Sequence, residues 1–149
     1  MKVITFIIRL SIALFSSCKY DRKVSDIHSS ENTIKIALIE NNKYISYFSF
    51  GENGEKFSNT IKDKDIQINI NTAENKFTKT FKKEQFLSDL NEIDKFVITD
   101  AKIENATNEQ VELLVNICKP DSDYCFFYEL TWFIKNNQYH IEEIFVEEE

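Results

Sequence analysis

The chain has 149 residues, enough for one domain and too few for two, and the residues after position 17 can still bury a sizeable core. Aromatic residues make up 13% of it, with only two glycines and one proline, a composition neither disordered nor collagen-like. The formal charge of −7, with no basic stripe, repels phosphate backbones and anionic lipid surfaces, so no nucleic acid is expected as a partner.

Residues 1–17 read as a secretory signal peptide. Lys2 gives a positive start, Val3 to Phe15 is mostly apolar, and the small residues Ser16 and Ser17 follow. Arg9 interrupts the run, which is in any case shorter than the roughly 20 apolar residues a membrane span requires.

Phe15-Ser16-Ser17-Cys18 resembles the lipobox of bacterial lipoproteins, with Phe15 where that family prefers leucine. The resemblance covers the leader alone. It implies cleavage before Cys18, a diacylglyceryl thioether on that residue, acyl chains of the palmitate kind and an envelope location. The residue type suits the chemistry, because a thiolate is the nucleophile that takes a lipid. Two or three acyl chains hold a protein stably, at roughly 0.8 kcal/mol per buried CH₂. The membrane is thus expected as a partner through the lipid. Residues 18–32, polar and without apolar periodicity, read as a flexible tether carrying His28, and residues 33–149 as a single globular domain.

From Thr33 onward, short alternating runs are separated by Asn-rich turns. Ile34, Ile36 and Leu38 alternate with polar residues, and Asn41-Asn42 offers a turn. Tyr44 to Phe50 is an aromatic strand, and Asn53-Gly54 predicts a two-residue hairpin turn that sets Phe50 opposite Phe57. Ile66, Ile68 and Ile70 form the next strand.

Phe86, Leu87, Leu90 and Ile93 fall on one face of a helix, predicting about three turns near 82–95, with Thr80 as its cap and Glu84 in its first turn. Val97, Ala101 and Ile103 then alternate, followed by a polar loop over 104–109.

Two long strands, 110–118 and 124–135, flank Lys119-Pro120-Asp121-Ser122-Asp123. In an oxidising compartment Cys118 and Cys125 are expected to form a disulfide across this hairpin. That pairing sets Ile117 opposite Phe126, Val115 opposite Tyr128, Leu113 opposite Leu130 and Val111 opposite Trp132, an unbroken apolar face that a one-residue slip destroys. The six intervening residues do not match a redox motif, and two thiols without a nearby histidine are half a metal site. Pairing these two cysteines leaves Cys18 for lipid.

Asn136-Asn137 turns the chain into a last strand over 138–146, expected to pair Trp132 with Ile141 and to bulge or stop near Glu142-Glu143. His140 falls on its polar face.

The fold class expected is α+β: a twisted, meandering antiparallel sheet of about six to eight strands with one amphipathic helix, loosely similar to cystatin-like and nuclear-transport-factor-like domains. No glycine-rich phosphate loop, nucleophile elbow or histidine cluster is present, so no catalytic residue, metal or cofactor is expected. The function expected is a non-enzymatic, envelope-anchored binding domain, with inhibition of a partner as one form of binding. The alternatives are a small-ligand pocket lined by residues such as Tyr47, Phe57 and Trp132, or an enzyme with an unrecognised site.

Overall fold

The structure is a computed structural model and describes residues 25–28 and 33–145. The stretch read as a signal peptide, 1–17, and Cys18 lie outside the described residues. Strands β1 (Ser25–His28), β2 (Thr33–Phe50), β3 (Lys56–Asn71) and β4 (Lys76–Phe81) form one antiparallel sheet in the order β1-β2-β3-β4. Strands β5 (Val97–Ala106), β6 (Gln110–Cys118), β7 (Cys125–Phe133) and β8 (Gln138–Glu143) form a second, in the order β5-β6-β7-β8. Each sheet is a meander in which every strand pairs with its neighbour in the chain. Part of the stretch read as a tether, Ser25–His28, pairs along Thr33–Ile36 as β1.

Alternation builds the core between the sheets. Ile34, Ile36, Ile66, Ile68 and Ile70 point inward from the first sheet. They meet Ile98, Val111, Leu113, Val115, Ile117, Leu130 and Trp132 from the second. Two half-apolar sheets cover each other this way without a helix.

The α+β expectation is therefore corrected to an all-β one. Among the described residues there is no α-helix, and the stretch predicted as helical holds two 3-10 turns, Lys83–Gln85 and Ile93–Lys95. Phe86 and Leu87 are buried, with Leu90 and Ile93 packed against the same core, so the apolar spacing is used without the helical backbone. Three causes act together. Thr80 and Phe81 belong to β4, so no cap is available at Thr80. Ser88, Asp89 and Asn91 favour turns over helix interiors. Above all, the buried Lys83 Nζ donates to the Phe96 carbonyl at 2.8 Å, whereas thirteen residues of helix would hold those residues about 20 Å apart. The loose likeness to cystatin-like and nuclear-transport-factor-like domains falls with the helix.

Two turns also differ. Asn41-Asn42 does not reverse the chain but forms a bulge in a continuous β2, where the register shifts between Glu40 and Tyr44. The Asn41 side chain takes up the irregularity, accepting from Lys43 N–H at 2.8 Å and donating to Asp65 at 2.8 Å. The β2–β3 loop has three residues rather than two. Gly51 N–H donates to the Glu55 carbonyl, Gly54 N–H donates to that of Gly51, and Gly54 takes φ 81°, the arrangement of a glycine bulge. One extra residue moves the register by one, so Phe57 pairs with Ser49, and Phe50 pairs with Lys56.

The cysteine hairpin has the expected register, from Val111 opposite Trp132 to Cys118 opposite Cys125. In β8 the register differs by two: Trp132 meets Tyr139, and Ile141 meets Leu130. A shift of two keeps each side chain on its expected face. The strand ends at Glu143, opposite Tyr128, with one further backbone bond from Ile144 N–H to the Phe127 carbonyl at 2.7 Å.

Candidate functional site: the aromatic arm

Tyr44-Ile45-Ser46-Tyr47-Phe48-Ser49-Phe50 is an uncharged run rich in residues that fit a strand, in a chain that is 29% charged. It forms the outer part of β2. β1 covers β2 only over Thr33–Ile36, and β4 covers β3 only over Ile66–Asn71. Beyond those limits β2 and β3 continue as a two-stranded arm, which would be marginal alone.

The base of the arm is clamped. Opposite the bulge, Asp63 pairs with Lys83 at 2.8 Å, their side chains only 1% and 2% exposed. Asp63 also accepts from Lys64 N–H at 2.9 Å. At the rim Lys43 meets Glu84 at 2.6 Å. Burial pushes the Glu84 carboxyl up, but the hydrogen bond and charge of Lys43 outweigh it and hold the group below the ordinary carboxylate range. The same contact holds the Lys43 ammonium above its ordinary value. Ile45, opposite Ile61, is buried at this level.

Outward from the clamp the arm carries its aromatics in the open. Tyr44, Phe48 and Phe50 are 65%, 56% and 69% exposed on one face. Lys56 lies 3.7 Å from the centre of the Phe48 ring. Tyr47 and Phe57 share the opposite face, Phe57 exposed and Tyr47 half-buried. Trp132, expected beside them, is instead 3% exposed in the core. Its indole N–H donates to Asn137 Oδ1 at 3.3 Å, and its ring meets Phe81 edge-on at 6.4 Å. The structure thus brings Tyr47 and Phe57 together and places Trp132 elsewhere. Sequence reasoning missed Tyr44, Phe48 and Phe50 as exposed residues; the signal was the uncharged run itself. It also missed the Asp63–Lys83 pair, for which nothing in the sequence spacing offers a signal.

Cys118 and Cys125 are joined in a disulfide. Nearby, Ser122 Oγ donates to the Lys119 carbonyl at 2.9 Å, and Asp121 takes φ 56°, so the acidic loop is an ordered, exposed turn. His140 is exposed, 4.0 Å from Glu142. Burial, then the Glu143 carboxylate, push the Tyr128 phenol up to about 12. Among the described residues no group of three or more His, Cys, Asp or Glu side chains could hold a metal, and no helix is long and apolar enough to cross a membrane.

No protein-family model matches the chain, and no curated protein matches it.

Proposed function

We propose that the chain is a bacterial envelope lipoprotein, processed before Cys18 and acylated there, whose domain is a non-enzymatic binding module that meets a protein through the aromatic arm. The observation carrying the binding role is the exposure of Tyr44, Phe48, Phe50 and Phe57 on one projecting hairpin. Exposed aromatics gathered at one place are costly in water and are the residues that anchor protein contacts. The disulfide supports export to an oxidising compartment. The lipobox-like leader supports the anchor.

The experiment places a photo-crosslinking residue at Phe48 or Phe50, and as a control at Glu129 on the second sheet, in full-length protein expressed with its own leader. Crosslinks to protein from the arm positions, and none from Glu129, are expected. Equal yields from both, or none from the arm, refute the binding role. Mass spectrometry of the same preparation tests the anchor, which an unacylated Cys18 or an intact leader refutes.

A further inference from the structure

The arm has two open edges, and they are not equivalent. The bond from Gly51 N–H to the Glu55 carbonyl sets the phase of the ladder, so 49 with 57, 47 with 59 and 45 with 61 are its mutually hydrogen-bonded pairs. The backbone groups of Tyr44, Ser46, Phe48 and Phe50 therefore point out of the β2 edge, and those of Lys56, Ser58, Thr60 and Lys62 out of the β3 edge. Among the described residues, no strand other than β3 pairs with β2 beyond Ile36. Two of the four residues on the β3 edge, Lys56 and Lys62, are charged, and both lean across the sheet, Lys56 over Phe48 and Lys62 to Glu40 at 3.0 Å. The β2 edge has no charge from Tyr44 to Phe50, and a seven-residue uncharged strand without proline or glycine is a template for another strand.

We infer that this edge pairs with the same edge of a second copy of the chain, antiparallel and about a two-fold axis through Tyr47. This rests on the reading of the arm as a protein-contact surface and names its partner. The run is self-complementary. With 47 opposite its own copy, all seven uncharged residues overlap, Tyr44 meets the copy's Phe50, and Ser46 meets the copy's Phe48. The even-numbered residues exchange the hydrogen bonds that the β2 edge leaves open. Because the partners are antiparallel, each body lies beyond the other's arm tip, so two acidic bodies do not collide.

The contact is small. Three aromatic side chains a copy, each a little over half exposed, bury roughly 400 Å² a side, below the roughly 1,200 Å² total of a standard interface. Pairing is therefore weak in dilute detergent and strengthened on a membrane, where a shared anchor raises the effective concentration.

Cysteine crosslinking in envelope membranes tests this with the full chain. Tyr47→Cys sits at the two-fold axis, where antiparallel strands bring side chains closest. Asn59→Cys is the matching position on the β3 edge. Mild oxidation should join Tyr47→Cys into a dimer at a yield at least tenfold that of Asn59→Cys. Adding Ser46→Lys should abolish the dimer without changing the unfolding midpoint. A Tyr47→Cys thiol that labels with maleimide but does not crosslink, or equal yields at both positions, overturns the inference. If photo-crosslinks from Phe50 then reach a different protein, the binding role stands and the second copy is excluded; if they reach none, both fail.

Discussion

Replacing Lys83 by methionine isolates the energetics of the clamp beneath the arm. The wild-type ammonium lies 2.8 Å from Asp63 and 2.8 Å from the Phe96 carbonyl, with both charged side chains almost wholly buried. Methionine fills much of the same space but leaves the Asp63 carboxylate without its counter-charge and the Phe96 carbonyl without that donor. Breaking a buried pair from one side costs about 3–5 kcal/mol, and an unsatisfied carbonyl adds about 1 kcal/mol. Against a total stability of roughly 5–15 kcal/mol, this is a large share. The melting temperature should fall by roughly 15–20 °C in a domain of this size. Urea unfolding followed by circular dichroism reads it as a lower midpoint at unchanged slope. The companion variant Asp63→Leu/Lys83→Met removes both charges and should recover most of the loss. A single variant within about 1 kcal/mol of wild type, or a double variant as unstable as the single, refutes the argument that charge desolvation governs this site.

Removing the disulfide with Cys118→Ser/Cys125→Ser should cost about 2.5 kcal/mol by loop-closure entropy, measured by urea unfolding against the oxidised protein. Gly54→Ala should cost about 1 kcal/mol, because the residue sits at φ 81° with open space around it, so the loss is backbone strain alone. Ultraviolet titration should show one tyrosine ionising near 12, and Tyr128→Phe should remove that step. The folded state holds this proton after the unfolded chain has lost it near 10. The contribution is thus complete below pH 10 and is lost as pH rises towards 12, so stability should fall across that interval, and less so in Tyr128→Phe.

The cysteine hairpin was legible in the sequence because two constraints agree there. Period-two alternation fixes which residues face the core, and one pair of cysteines at the turn fixes the register. Where only one constraint acts, the reading drifts. In β8 alternation alone sets the face, and the register moved by two without moving a side chain to the wrong side. At Asn53-Gly54 a third loop residue shifted the register by one and separated Phe50 from Phe57. The helix near 82–95 rested on four apolar positions, and an irregular segment can bury the same four. What decides between them is Lys83, whose partners Asp63 and Phe96 lie far from it in sequence, so no local pattern reveals it. The candidate surface was half legible. Tyr47 and Phe57 lie on the arm, but exposure there depends on how far β1 and β4 extend, which leaves Tyr44, Phe48 and Phe50 outside, while Trp132 on β7 is buried in the core between the sheets.

The meander order of the two sheets has a consequence for how the chain can be divided. Among the described residues the backbone passes from one sheet to the other once, between Phe81 and Val97. A cut among the exposed residues Ser88, Asp89 and Asn91 therefore separates no strand from its sheet. It yields two pieces, each with a whole four-stranded meander and one bare apolar face that only the other piece covers. Lys83 would remain with Asp63 in the first piece and reach the Phe96 carbonyl in the second, so a polar contact as well as the core would guide reassembly. The fold is thus organised as a ready-made complementation pair, two halves whose reunion could be read out as a split reporter.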